Sequence, residues 1–178
     1  MKSGHVALAA AGLFLVCFGS SFIHPWGNPR SGMNSKGPLL AGSDAPANVE
    51  HVLETKCADC HSERTTWPAY SRVAPASWLV ERDVIEGRSH LNLSQWQIYT
   101  AETRIDLLAR IASEVRSGQM PVRQYLILHP QARLSPEEQQ LIYDWAKSER
   151  RRIRHELAGA QTKPSPNPVS ARAEQKTH

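Results

Sequence analysis

From Val6 to Ile23 the chain carries no charged side chain, and most positions are apolar, until His24-Pro25 breaks the run. Eighteen residues is at the lower limit for crossing a bilayer and longer than most signal-peptide cores. Cleavage would want small residues at −3 and −1, which Gly19 and Ser21 supply weakly, and a lipoprotein signal would want a small residue where Val16 precedes Cys17. The expectation is an uncleaved N-terminal anchor over residues 1–24, transmembrane or signal-like. Pro25 to about Pro46 is rich in Gly, Pro, Ser and Asn, which reads as a flexible tether over 25–46. From Ala47 the apolar positions follow helical spacing. Val49, Val52 and Leu53, then Cys57 and Cys60, mark one face of a helix from about Ala47 to His61. Pro75-Ala76-Ser77 starts a second helix that carries Trp78, Leu79 and Val84 and stops at Gly87. Ser94 opens a helical region in which Ile105, Leu108, Ile111, Ala112 and Val115 recur at three- and four-residue steps, with Gly118 placed to end it in the left-handed conformation. Ser135-Pro136-Glu137-Glu138 combines an N-cap, a proline at the first helical position and an acid at the third, ahead of Leu141, Ile142 and Trp145. Tyr125–Leu128 is the single short candidate for a strand. The fold expected is all-α, a compact helical domain over 47–158, followed by a disordered tail over 159–178 that contains Pro164, Pro166 and Pro168.

Composition sharpens this picture. The chain has 178 residues, 40% hydrophobic and 21% charged, enough for one packed domain with flanking segments. The net charge of +4 is not evenly spread. Residues 1–43 carry Lys2, Arg30 and Lys36 and no acid, and 159–178 carry Lys163, Arg172 and Lys176 against Glu174. That leaves 15 basic and 16 acidic side chains for the domain, which has no long-range field to gather phosphates. Nucleic acid is not an expected partner. Arg150-Arg151-Arg152 with Arg154 reads as the solvated, dipole-matched end of the last helix.

Three cysteines are too few for a disulfide framework. Cys17 lies in the apolar run, whereas Cys57-Ala58-Asp59-Cys60-His61 is a C-x-x-C-H sequence, the pattern of c-type haem attachment. Two thiols three residues apart on a helical turn can reach the two vinyl groups on one edge of a porphyrin, and the imidazole that follows can ligate the iron. A redox-active thiol pair would follow a strand in a βαβ unit, which this pattern lacks. A structural zinc site would need two more ligands, and His51, His90, His129 and His155 are dispersed. Haem c, one per chain and covalently held by Cys57 and Cys60, is the expected cofactor, with His61 as the proximal iron ligand.

Of the three methionines only Met120 lies in the domain, between Gly118 and Pro121. It is the candidate distal ligand, since His/Met ligation suits electron transfer; a core-filling Met is the alternative. His90 and His129 are rival distal ligands, and a hydrogen-bonding role is the commoner fate of such residues. Trp67 and Tyr70, with Trp78, are candidates for packing on the haem or in the core. Arg72 and Arg88 are candidates to neutralise propionates. Asn92-Leu93-Ser94 matches a glycosylation triplet, though Ser94 is better placed as a helix cap.

Cys57–His61 with Ser62, Thr66-Trp67-Pro68, Tyr70-Ser71, Pro75, Ser77-Trp78, Asp83-Val84, Glu86-Gly87-Arg88 and Leu91-Asn92 resembles the bacterial haem-binding domain family, membrane-tethered single-haem c-type proteins. The similarity continues through Met120-Pro121, Tyr125, His129-Pro130, Ala132, Leu134-Ser135 and Trp145, and so runs from about Val49 to Ala146. Trp-Pro-x-Tyr-Ser is its most specific part; where members often carry a second aromatic, this chain has Ala69. The resemblance implies a compact haem-wrapping helical fold. Together these features predict an electron carrier rather than an enzyme, anchored in the bacterial inner membrane with its haem domain in the periplasm. Its partners would be the membrane and a redox protein, with no small-molecule substrate. The competing expectation is a haem enzyme or a gas or redox sensor with an open or labile distal site.

Overall fold

The computed structural model describes residues 2–30 and 38–162, with side chains from Gly4 to Gln161; Met33, Lys36 and the expected tail from Lys163 onward lie outside the described residues. Among the described residues the regular structure is helical throughout: α1 (Lys2–Ser20), α2 (Ala47–Lys56), α3 (Ala58–His61), α4 (Ala76–His90), α5 (Ala101–Arg116), α6 (Arg123–Leu128) and α7 (Pro136–Thr162). Three 3₁₀ turns join them, at Ala69–Arg72, Leu93–Ile98 and Pro130–Ala132. The longest packing runs between α5 and α7, while the short α3 sits against α4 and α2. Val49, Leu93, Trp96, Leu108, Ile142 and Ala146 are wholly buried where these elements meet.

Two helix ends are built as their sequences predict. Ser135 Oγ accepts the Glu138 N–H (3.1 Å) and Glu138 Oε2 accepts the Ser135 N–H (2.8 Å), a reciprocal capping box at the head of α7. At the tail of α5, Gly118 has φ +69°. Gln119 N donates to Glu114 O (3.0 Å) and Gly118 N to Val115 O (3.2 Å), the two bonds of a Schellman motif.

Five local expectations are corrected. The Ala47–His61 helix is broken at Cys57 (φ −123°, ψ −29°), which separates α2 from α3. Gly87 does not stop α4, which runs on to His90. Asn92, not Ser94, is the cap of the 3₁₀ turn, its side chain accepting the Ser94 N–H (3.1 Å), while Ser94 Oγ accepts from Glu63 N (3.0 Å). Tyr125–Leu128 is helical rather than extended. The arginines at 150–154 lie inside α7, which continues to Thr162; Arg152 clasps Glu149 with Nε (2.7 Å) and NH2 (2.6 Å).

The segment expected as a flexible tether is packed where it is described. Leu39 and Leu40 belong to the core, Leu40 only 1% exposed, and Leu40 N donates to Leu93 O (2.9 Å). Pro29 is buried, and Arg30 NH2 donates to the carbonyl and, at 2.8 Å, to the hydroxyl of Ser71. α1 stands apart: Val6, Leu8, Leu13, Phe14, Leu15, Val16 and Phe18 are each more than half exposed. Among the described residues no helix is long and apolar enough to cross a membrane.

Candidate haem site

The break at Cys57 turns α3 so that its one helical turn faces a cavity of about 270 Å³. Cys57 lines that cavity from the break itself, Cys60 and His61 line it from α3, and Met120 lines it from the loop between α5 and α6. Val115, Pro121, Val122, Tyr125 and Leu134 give it apolar and aromatic wall, and Lys56, Arg82, Asp83, Glu86 and His90 make up most of its polar lining. Cys57 and Cys60 are free thiols, three residues apart and open to the same space.

Each donor is held by backbone. His61 Nδ1 donates to Leu91 O (3.1 Å), which leaves Nε2 as the lone-pair nitrogen. Burial lowers the His61 pKa, only partly offset by its backbone hydrogen bonds, so the imidazole is neutral near pH 7 and able to bind metal. Burial, with Cys60 and Glu138 nearby, pushes the Cys57 thiol up to about 12. Cys60 rises to about 11 through burial and the charges of Asp59 and Asp83. Such thiols are poor nucleophiles at neutral pH, the reverse of a redox-active pair. Met120 is half-buried, and its N–H donates to Glu114 O (3.3 Å), so the Schellman turn of α5 fixes where its thioether enters.

The α3–α4 contact explains why Gly87 is not a helix stop. A Cβ there would lie 2.6 Å from the Cys60 carbonyl oxygen and 3.2 Å from the Cys60 Cβ, so only glycine lets α4 run this close to the turn. The next residue, Arg88, donates to Ser62 O (2.8 Å), Thr65 Oγ1 (3.0 Å) and Pro29 O (3.0 Å). Arg88 is therefore a clamp on the segment after His61, and Arg72 is exposed outside the cavity lining.

The aromatic candidates also stand elsewhere. Trp67 stacks under the Arg30 guanidinium (4.2 Å), and Trp78 donates its indole N–H to Ile23 O (2.8 Å); neither lines the cavity. Tyr70 lies one layer back, with its hydroxyl 2.5 Å from His129 Nε2. His129 stacks on Tyr125 (4.3 Å) and does not line the cavity; His90 does, with Nδ1 on Glu86 O (2.8 Å). The sequence pattern missed Tyr125 and Asp59 as site residues. Tyr125 OH donates to Asp59 Oδ2 (3.1 Å), while Asp59 Oδ1 accepts from Thr66 N (2.8 Å). Burial and that carboxylate hold the Tyr125 phenol protonated far above its usual range. Its placement after Pro121 in a run that resembled a strand concealed this role. Asn92 is buried and bonded to Glu63 (3.4 Å), which removes the glycosylation reading.

Among the described residues no group of three or more His, Cys, Asp or Glu side chains could hold a metal ion, so a zinc site has no ligand set here. Two thiols, a neutral imidazole and a thioether around one cavity with apolar walls do fit a haem. An all-helical domain with that donor set is a haem-binding domain. The sequence profile of the haem-binding domain family matches residues 15–148, three quarters of the chain, and the chain belongs to that family. The match begins in α1, ahead of Val49, in keeping with the packing of residues 21–30 and 38–46 onto the helices. No match is found among curated proteins or among solved structures.

Proposed function

We propose that this chain is a membrane-anchored, periplasm-facing monohaem c-type cytochrome that carries single electrons. The observation that supports it is the convergence of Cys57, Cys60, His61 and Met120 on one cavity. In this reading Cys57 and Cys60 would hold the haem through thioethers, and His61 and Met120 would supply its two iron ligands. A bound haem supplies an iron that alternates between ferric and ferrous states, with a potential raised by the thioether ligand. The chain's part is to hold both ligand atoms still. Leu91 O orients the His61 ring, and the α5 turn sets Met120, so neither has to move when the charge changes. Rigid ligation of this kind favours electron transfer over binding of exogenous molecules.

α1 by itself falls short of a membrane-crossing helix, and what supports anchoring is the uncharged run from Val6 to Ile23 together with the apolar side chains that α1 exposes around its circumference. Periplasmic placement follows from the chemistry, since thioether attachment takes place outside the bacterial cytoplasm. The redox partner is a protein of unassigned identity, and no substrate is required.

The test is maturation of the full chain with a cytochrome c assembly system, followed by a haem stain after denaturing electrophoresis and a pyridine haemochrome spectrum. Haem that survives denaturation with a two-thioether spectrum, and is lost from a Cys57→Ala, Cys60→Ala double variant, is the expected result. Haem released by denaturation contradicts c-type attachment. Covalent haem that is high-spin and binds carbon monoxide readily instead favours the enzyme-or-sensor reading.

A further inference from the structure

The chain after α1 lies along α4 from its start towards its end. Ser21 Oγ accepts the Ala74 N–H (2.9 Å) just ahead of α4, and Ile23 O accepts the Trp78 indole N–H (2.8 Å). His24 Nδ1 then meets both oxygens of Glu81 (2.9 and 3.1 Å), and Pro29 O accepts from Arg88 (3.0 Å). Glu81 is 1% exposed, and Arg30 Nε stands 3.8 Å from it on the far side of the same segment. A carboxylate buried this deeply is costly without partners, so His24 and Arg30 tie the segment down as a strap. The exit of α1 is therefore fixed beside the start of α4.

At that exit Phe22, Ile23, Trp26, Val73 and Leu79 are exposed, between 45% and 73%. Phe22 and Ile23 closely follow α1, and Val73 and Leu79 neighbour Ala74 and Trp78, to which this segment bonds. Phe14 stacks on Phe18 (6.2 Å), and Phe18 meets Phe22 edge-on (5.5 Å), an aromatic ladder that leads from the helix onto this face. A tryptophan on such a boundary suits headgroup depth, and the exposed Arg72 next to Val73 suits anionic lipid. Gly87, which abuts Cys60, is eleven residues on from Ala76 in α4, a rise of about 16 Å.

We infer that these five side chains rest in the headgroup region of the bilayer that holds α1, so that the haem cavity is presented at a fixed height above the membrane instead of swinging on a tether. This placement rests on the anchoring of α1 proposed above. Electron partners would then be membrane proteins whose own donor or acceptor sites lie close to the lipid surface.

The experiment uses the full haem-loaded chain with Cys17→Ser, reconstituted into phosphatidylcholine–phosphatidylglycerol vesicles. A nitroxide label is placed at Leu79→Cys or, as a control on the exposed face of α6, at Ile127→Cys. The expected result is flotation with the vesicles and an oxygen-to-nickel-chelate accessibility ratio several-fold higher at position 79 than at 127. Flotation with both labels equally open to the water-soluble chelate overturns the docked placement but leaves the anchor intact. A label at 79 shielded from oxygen and chelate alike means that protein, such as a second copy, covers the face, and also overturns it. Failure to float overturns the anchor and the placement together.

Discussion

A methyl group on Gly87 would press against the carbonyl of Cys60, a backbone atom with no freedom to move aside. Gly87→Ala is therefore expected to cost about 1–3 kcal/mol through overpacking, although alanine is the better helix former. Denaturant unfolding of the matured protein would measure it, alongside a lower yield of haem-loaded chain; a neutral or stabilising change would mean that α3 and α4 are further apart. The thiols make a second residue-scale prediction. With Cys57 near 12 and Cys60 near 11, the thiolate fraction at pH 8 is on the order of one in a thousand or less. Iodoacetamide should modify the folded apo-protein far more slowly than the unfolded chain at that pH, and the gap should close as pH rises toward 11. The fold favours protonated thiols, so the stability they contribute is complete below the ordinary thiol pKa and is lost as pH climbs through the raised values. Rapid alkylation of the folded protein at pH 8 would contradict the raised pKa values of the pair.

Elements whose ends are set by local chemistry were legible in sequence; elements set by tertiary approach were not. The capping box at Ser135 and the Gly118 stop each involve residues within a few positions of one another, so composition alone placed α7's start and α5's end. Gly87 resembles a stop in sequence, and only the proximity of Cys60, 27 residues away, shows why glycine is needed inside α4. The same logic applies to the site. Cys57, Cys60 and His61 form a local motif, and Met120, which lines the same cavity, stands out in sequence as the one methionine in the domain, whereas Tyr125 and Arg88 act through partners distant in sequence. The arginine run in α7 resembled a helix end because Glu149's burial cannot be seen from a charge pattern. Burial alone would raise the Glu149 carboxyl, but the Arg152 hydrogen bonds, aided by Asp44 N–H and the Arg152 charge, outweigh it and hold it below the usual range. Its contribution to stability is therefore present above the ordinary carboxyl pKa and is lost as pH falls through the lowered one. Arg152→Ala leaves that carboxylate buried without its charge partner and is expected to cost about 2–4 kcal/mol near neutrality, with the gap to the parent shrinking towards about pH 4. Urea unfolding at the two pH values would check it; a gap that did not change with pH would show that the cost comes from lost packing and not from the charge pairing of Glu149.

For the whole molecule, the domain is larger than the region of helical periodicity. Leu39 and Leu40 sit in the core, with Leu40 bonded to Leu93 at the head of the Leu93–Ile98 turn, and the strap of residues 21–30 satisfies a buried glutamate on α4. Burial of each leucine is worth about 1.5–3 kcal/mol, so a chain that begins at Ala47 should unfold at markedly lower urea than one that begins at Ser21. Equal midpoints would restore the tether. Irregular chain with Gly and Pro reads as linker because its contacts are long-range and carry no period, and that is why this part of the architecture was not visible in sequence. The proposed ligation of a haem by His61 and Met120 is tested by the absorption spectrum of the matured full chain beside that of Met120→Ala. The expected result is a low-spin ferrous spectrum and, in the ferric parent, the weak far-red charge-transfer band of methionine ligation, with that band abolished and carbon monoxide binding gained in the variant. An unchanged spectrum in Met120→Ala would place the sixth ligand elsewhere, with His90 the first residue to replace, and would contradict the assignment.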